Sequence, residues 1–243
     1  MTRDPVLRRA AACGAVLALG LAAPASAYVR IDDFSDPQTL TLAGGEDLAS
    51  SSVIAPNAIV GERDAVIERA AGAGAVTLDV DPGASERLFF ENAVGTESTL
   101  MLVYDGADGD PLAIDPGGLG DVDLTELGTE DRFAIRVQSD QAIEVWFQIF
   151  DAGDPSGDTW SAGTLAVPSG PSLAWHELPL VDLVAAGPGG HADPTDTGAI
   201  LVRVSGPAGL DVQIDEIRVP EPGAWTAGLA ALAALTSLRR TRR

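Results

Sequence analysis

The chain contains no lysine, a single cysteine and two histidines. One cysteine excludes an intramolecular disulfide framework and any zinc site built from several thiolates. All 15 basic residues are arginine, and 36 acidic residues outnumber them, which gives the 243 residues a formal net charge of −21. This excess argues against a nucleic-acid partner, because an acidic protein gains no counterion release from a polyanion.

The first 27 residues have the layout of a secretory signal peptide. A basic start is followed by an apolar run over 10–23, and the small residues Ala25 and Ala27 occupy the cleavage positions. The run is too short for a bilayer span, which takes about 20 residues. We therefore expect export and cleavage by signal peptidase after Ala27. Since Cys13 lies in the signal, the mature protein would have no cysteine.

The C-terminal residues 220–243 form a second, more specific pattern. Pro220, Glu221 and Pro222 precede 16 uncharged, mostly apolar residues over 223–238, and four of the last five residues, 239–243, are arginine. A helix over 223–238 is about 24 Å long at about 1.5 Å per residue, and terminal arginines extend its reach by snorkelling. The pattern predicts a transmembrane helix whose arginine cluster stays on the cytoplasmic side.

This tail resembles the PEP-CTERM sorting signal of Gram-negative bacteria, which joins the same tripeptide, a short transmembrane helix and an arginine cluster. The resemblance implies recognition by an exosortase, a membrane-bound, cysteine-dependent, transpeptidase-like enzyme that cuts near the tripeptide. The protein would be held in the inner membrane before processing and then reach the cell surface or extracellular matrix, where exopolysaccharide and biofilm form. The alternative is a plain tail anchor with an incidental Pro-Glu-Pro linker.

The remaining residues, 28–219, form one strongly acidic ectodomain. They contain 34 acidic residues and eight arginines, a formal net charge of −26, so the cationic ends mask a more acidic domain. About 190 residues suit a single domain with a substantial core. The charge either keeps the domain soluble or gathers divalent cations, and the sequence leaves both interpretations open.

The ectodomain alternates apolar and polar residues with the period of β-strands. The clearest alternating runs are 76–80, 133–137 and 143–149, and a more continuously apolar run over 100–104 suggests a central strand. Clusters of Gly, Pro and Asp separate these runs and mark turns. We predict an all-β fold, a single two-sheet β-sandwich of jelly-roll type, between the N-terminal signal helix and the C-terminal transmembrane helix.

Short strings extend the resemblance to the ectodomain itself. The segments 31–35 (Ile-Asp-Asp-Phe-Ser), 61–64 (Gly-Glu-Arg-Asp) and 211–218 resemble galactose-binding-domain-like jelly rolls of carbohydrate-binding modules and the ectodomains of other PEP-CTERM surface proteins. In the related proteins this segment reads Gly-Gly-Glu-Arg-Asp. Here the first of its two glycines is replaced by Val60. The resemblance implies a carbohydrate-binding fold and a structural calcium ion between the first and last strands.

A glycan platform is predicted on the run 143–150. Trp146, Gln148 and Phe150 share the face opposite the apolar residues of that run, and sugar rings pack on aromatic faces beside planar polar groups. The alternative is that another part of the chain covers this face, since tryptophan is usually mostly buried. Trp160 and Trp175 are similar candidates with less sequence context.

Two groups of carboxylates are candidates for calcium, which binds six to eight oxygen ligands. The first joins Asp32 or Asp33 in the opening strand to Asp215 or Glu216 in the closing strand. The apolar parity of the closing strand changes near Asp215, which predicts a β-bulge there. The second group is a loop with the residues Asp105, Asp108 and Asp110. The alternative is that all these acids are solvated and bind no metal.

Catalytic signatures are weak. His176 and His191 lack an accompanying Gly-x-Ser-x-Gly elbow, and with 34 acids a close carboxylate pair arises by chance, so it has no diagnostic value for a glycosidase. The sequence therefore predicts a non-enzymatic, exported surface or matrix protein that is associated with polysaccharide and binds carbohydrate. The alternative is a secreted, glycosidase-like hydrolase with an acidic site.

Overall fold

The computed structural model describes residues 28–125 and 131–220. The predicted signal peptide with Ala25 and Ala27, the sorting residues Glu221 and Pro222, and the predicted transmembrane segment 223–238 lie outside the described residues. Within the described part of the chain, no helix has the length and apolar character needed to cross a membrane.

Strands account for nearly all the regular structure of the described residues, and the two 3₁₀ turns are each three residues long. In chain order, the strands are β1 (Tyr28–Asp32), β2 (Gln38–Leu42), β3 (Leu48–Ile54), β4 (Glu62–Ala71), β5 (Val76–Val80), β6 (Leu88–Asn92), β7 (Glu97–Tyr104), β8 (Arg132–Ser139), β9 (Ile143–Asp151), β10 (Trp160–Val167), β11 (Ala174–Pro179), β12 (Val184–Ala185), β13 (Thr197–Gly206) and β14 (Asp211–Pro220). The 3₁₀ turns are Ile59–Gly61 and Leu180–Asp182.

The strands form two seven-stranded sheets, and every pairing between named strands is antiparallel. Sheet A has the order β11-β8-β14-β6-β5-β2, with β1 paired to β14, and sheet B has the order β12-β10-β9-β13-β7-β4-β3. This arrangement confirms the predicted all-β sandwich. The continuously apolar run 100–104 lies in β7, between β13 and β4, which confirms that it is an interior strand.

The core lies between the two sheets and is built from the inward positions of the alternating strands. On β9, Ile143, Val145, Phe147 and Ile149 are all buried, as the period-two pattern predicts. Phe147 stacks on Phe133 of β8 with ring centroids 4.7 Å apart and an interplanar angle of 10°. This contact joins sheet B to sheet A, and aromatic pairs of this kind stabilise by about 0.5–1.5 kcal/mol beyond the burial of area.

The first and last strands lie side by side. Tyr28 of β1 pairs with Pro220 of β14 in antiparallel register. Opposite β8, the register of β14 shifts between Ile214 and Glu216, which confirms the bulge predicted beside Asp215. The extra residue shifts the alternation of inward and outward side chains by one position. Ile214 and Ile217 therefore both face the core although they are three residues apart.

Candidate functional site

The predicted glycan residues lie on the outer face of sheet B, the side turned away from the core. Trp146, Gln148 and Phe150 alternate with buried core residues of β9, so the sequence assigned this face correctly. Gln148 is only 9% exposed and Phe150 only 6%, whereas Trp146 is half-buried. The predicted platform is therefore accessible mainly at Trp146.

Trp160 of the neighbouring strand β10 completes the aromatic group. Trp160 pairs with Phe150 across the two strands. Its ring centroid is 6.3 Å from that of Phe150 and 6.4 Å from that of Trp146, and the two indole planes meet at 77°. Because the indoles are nearly perpendicular, a sugar ring would stack on one of them and contact the edge of the other. The three residues form an aromatic corner and not a flat platform.

Arg203 is the functional candidate that sequence reasoning missed. It lies on β13 and pairs with Trp146 of β9, and its guanidinium carbon is 5.8 Å from the centroid of the Trp146 ring. This distance is within the range of a cation–π interaction. The Nε atom of Arg203 is buried and has no hydrogen-bond partner. Only the pairing of β9 with β13, which are about 50 residues apart in sequence, brings these two side chains together.

The other ectodomain arginines all have polar partners. Arg69 donates to the carbonyl oxygens of Glu46, Gly74 and Ala43 at 2.6–2.8 Å. The remaining six each lie within 4.0 Å of a carboxylate oxygen, and they are Arg30, Arg63, Arg87, Arg132, Arg136 and Arg218. Within residues 28–125 and 131–220, Arg203 is thus the one arginine whose guanidinium has neither kind of contact.

An open groove of about 810 Å³ begins at Arg203. Its walls include Glu144, Ala166, Ser205 and Thr99, which come from strands β9, β10, β13 and β7. Glu144 of β9 pairs with Ser205 of β13. This pair lies on the same face of the sheet as the pair formed by Trp146 and Arg203, two residues further along each strand. The groove therefore combines a cation, a carboxylate and hydroxyl groups, and its volume suits a ligand with several ring units. Trp146 and Trp160 do not line it, and Arg203 is the residue that connects the groove to the indole of Trp146.

The four carboxylates predicted to bind calcium between the first and last strands have separate partners. Asp32 is buried, and its Oδ2 accepts hydrogen bonds from Arg63 Nη1 at 2.9 Å and from the Tyr104 hydroxyl at 3.0 Å. Asp33 accepts from Arg30 Nη1 at 2.6 Å. Burial raises the pKa of the Asp32 carboxyl, and Arg63 opposes this effect.

Asp215 and Glu216 are likewise turned to arginines on the outer face of sheet A. Asp215 accepts from Arg136 at 2.7 Å and from Arg87 at 3.3 Å, and Glu216 lies 3.8 Å from Arg218. Each of the four acids thus has an arginine within 4.0 Å, although Glu216 Oε1 is buried without a hydrogen-bond partner. Calcium binding between the first and last strands stays a prediction.

The loop carboxylates have different surroundings from those the sequence suggested. Asp105 is the residue that follows β7, and it is buried. Asp108 lies in the loop that comes next, beside Glu62 and Asp64 of β4. Asp110 is exposed and accepts a hydrogen bond from the backbone N–H of Leu112 at 3.2 Å. Glu62 and Asp64 were not among the predicted metal ligands. The sequence signal for them is the alternation Glu62-Arg63-Asp64, which places two carboxylates on the outer face of sheet B and the arginine in the core.

The two histidines do not line the groove. His176 is in β11 of sheet A. Both ring nitrogens of His191 lie against backbone carbonyl oxygens, Nδ1 at 2.7 Å from Ala192 and Nε2 at 3.1 Å from Leu183. Neither residue lines the groove beside Arg203.

No protein-family model and no curated protein matches the sequence. Among solved structures, the chain is similar to two carbohydrate-binding modules of Clostridium thermocellum cellulosomal cellulases. The family 11 module has 11% identity and a TM-score of 0.38, covering 81% of this chain and 96% of that one. The family 30 module has 13% identity and a TM-score of 0.39, covering 81% and 98%. Similarity at these values is too low to assign a family or a ligand.

Proposed function

We propose that this protein is an exported, non-enzymatic surface protein that binds polysaccharide on the outer face of sheet B. The observation that carries the proposal is the position of Arg203, which lies within cation–π range of Trp146, has no ionic partner in the described residues and lines an open groove. An arginine so placed can donate N–H groups to hydroxyl or ring oxygens, while the indole can contact the apolar face of a sugar.

The groove has the chemical balance of a sugar site. Glu144 supplies acceptors for hydroxyl protons, and Ser205 and Thr99 supply groups that both donate and accept. Outside the groove, beyond Arg203, Trp160 and Trp146 meet at an angle of 77°. A bent chain of sugar rings that leaves the groove past Arg203 would contact these indoles. Specificity in such sites depends on a few fixed polar groups beside aromatic rings.

A glycan array of the purified full chain tests the proposal. We expect Trp146→Ala and Arg203→Ala to lose at least tenfold in affinity for every glycan that the wild type binds. The matched controls are Trp175→Ala and Arg218→Ala, because Arg218 stacks on Trp175 with its guanidinium carbon 3.9 Å from the ring centroid, on the outer face of sheet A. Loss of binding in the sheet A variants alone would place the site on the other sheet and overturn the proposal.

The terminal sequence signals supply the proposed route to the surface. Signal peptidase would release the chain after Ala27, and an exosortase would process the tail at the Pro-Glu-Pro tripeptide, delivering the ectodomain to an envelope rich in exopolysaccharide. Replacing Pro220, Glu221 and Pro222 with alanine should leave a full-length, membrane-held protein, detected by fractionation and by its mass. Unchanged delivery of this variant to the surface would contradict exosortase sorting.

A further inference from the structure

A second polar site lies on the outer face of sheet B, at the end of β4 and β7. Glu62 and Asp64 project from β4, and Asp108 approaches them from the loop after β7. One carboxylate oxygen from each of the three lies within 4.8 Å of the other two. Twice a calcium–oxygen distance of about 2.4 Å is about 4.8 Å, so these oxygens lie within the span of ligands around one calcium ion.

Hydrogen bonds hold each of these carboxylates in place through one oxygen. Glu62 Oε1 accepts from the backbone N–H of Gly109 at 2.8 Å, and Asp108 Oδ1 accepts from that of Asp110 at 2.8 Å. Asp64 Oδ1 accepts from the hydroxyl of Ser52 on β3. All these donors are neutral, so the negative charge of the group is not compensated by these contacts.

Asp105 is a second, independent observation beside these three acids. The residue is 1% exposed, and its Oδ2 accepts from the backbone N–H of Asp115 at 2.8 Å. Its Oδ1 is buried and no donor among the described residues reaches it. The carboxyl group lies beside that of Asp64, which is itself an acceptor. A buried carboxylate oxygen with no donor is costly in a folded protein unless a cation or a proton satisfies it.

These acids have no arginine partner among residues 28–125 and 131–220, where none of the ion pairs includes Glu62, Asp64, Asp105 or Asp108. The neighbouring Arg63 faces the core and is paired with Asp32. In this respect the group differs from Asp215 on sheet A, which has two arginine partners.

We propose that Glu62, Asp64 and Asp108 bind one calcium ion. Asp105 lies outside this group of three oxygens, beside Asp64, and its free Oδ1 would complete the site from the interior. Asp108 is exposed and the other three residues are buried, so the ion would enter past Asp108 and join the loop 105–118 to strand β4. The site is independent of the proposed polysaccharide groove. It shares no residue with that groove and uses the chain segment that follows β7.

Isothermal titration of the EDTA-treated full chain with calcium chloride tests this site. We expect one calcium ion per chain, with binding at least tenfold weaker in Asp105→Asn and in Asp64→Asn. Asp110→Asn is the matched control, since it removes one carboxylate from the same loop outside the site, and Asp215→Asn removes one from sheet A. Both controls should bind within twofold of the wild type. Absence of binding to the wild type at 10 mM calcium, or an equal loss in Asp110→Asn, would overturn the proposal.

Hydrogen exchange of the wild type gives a second readout that needs no variant. Calcium should slow exchange of the Gly109 and Asp115 amides, whose acceptors Glu62 and Asp105 would be fixed by the ion. Amides of β11 on sheet A should exchange at the same rate with and without calcium. If calcium leaves the two loop amides unchanged, or slows exchange equally throughout the chain, the assignment of the ion to these residues is wrong.

Discussion

Arg63 and Asp32 form an ion pair in the interior of the sandwich, with Arg63 Nη1 2.9 Å from Asp32 Oδ2 and side chains that are 0% and 1% exposed. Arg63 also donates from Nε to Gln38 at 2.8 Å and from Nη2 to the carbonyl oxygen of Asp36 at 2.6 Å, and its guanidinium lies over the ring of Phe34. The pair thus links the opening Ile-Asp-Asp-Phe segment to the Gly-Glu-Arg-Asp segment on β4.

Removing one partner of this pair should be strongly destabilising. Arg63→Met leaves the Asp32 carboxylate buried and uncompensated, and Asp32→Asn does the same to the guanidinium, so each should lower the free energy of unfolding by about 3–5 kcal/mol. Denaturant unfolding monitored by tryptophan fluorescence measures the change. The double variant should cost less than the sum of the two single variants, since it leaves no lone buried charge.

An exposed ion pair provides the control for this experiment. Arg132 bridges Asp131 and Glu177 at 2.6 and 2.8 Å on the surface of sheet A. Because solvent screens such pairs, Arg132→Met should change the free energy of unfolding by about 0–1 kcal/mol. A cost for Arg63→Met no larger than this would show that the buried pair does not hold the two segments together.

Tyr104 should contribute through its hydroxyl group alone. The hydroxyl donates to Asp32 Oδ2 at 3.0 Å, and burial together with the Asp32 charge raises the pKa of Tyr104 well above its usual value. Tyr104→Phe retains the ring but removes one donor to a buried carboxylate, so we expect a loss of about 1–3 kcal/mol in the free energy of unfolding. In an Asp32→Asn background the same substitution should cost less, and equal costs in both backgrounds would show that the hydroxyl does not act on Asp32.

Some of these relationships were accessible from the sequence and others were not. The alternation in β9 correctly assigned Trp146, Gln148 and Phe150 to one face, and the change of parity near Asp215 located a bulge, because both depend only on neighbouring residues. The sequence also predicted the two-sheet sandwich. The burial of Gln148 and Phe150 agrees with the alternative that another part of the chain covers this face. Which residues of the face are covered could not be predicted, since that depends on contacts with distant parts of the chain.

Contacts between distant segments account for what the sequence did not reveal. Arg63 and Asp32 are 31 residues apart, and the sequence did not show that Asp32 has a buried arginine partner. Arg203 reaches Trp146 only through the register of β13 with β9. The carboxylates of β4 meet Asp105 and Asp108 only through the pairing of β4 with β7. Local periodicity contains no information on any of these contacts.

The loop that covers Asp105 depends on close backbone contact at Gly118. A Cβ atom placed on Gly118 would lie 1.4 Å from the carbonyl oxygen of Asp105, so Gly118→Ala must displace one of the two chain segments. We expect the free energy of unfolding of this variant to be lower by about 1–3 kcal/mol. Denaturant unfolding measures the change.

Gly117→Ala is the matched control for this loop. A Cβ atom on Gly117 would meet only Asp115 Oδ1, at the ordinary contact distance of 3.8 Å. We expect a change within about 0.5 kcal/mol, as for most surface substitutions. If Gly117→Ala and Gly118→Ala have equal effects, the close contact between Gly118 and Asp105 does not hold the loop in place.

Binding of polysaccharide to the outer face of sheet B, as proposed, depends on Arg203 and Trp146. The dissociation constant of the best glycan from the array, determined calorimetrically for the wild type, Arg203→Ala and Trp175→Ala, tests this dependence. We expect Arg203→Ala to raise the dissociation constant at least tenfold and Trp175→Ala to leave it within twofold. A wild-type dissociation constant retained in Arg203→Ala, in a variant shown to be folded, would contradict polysaccharide binding at Arg203.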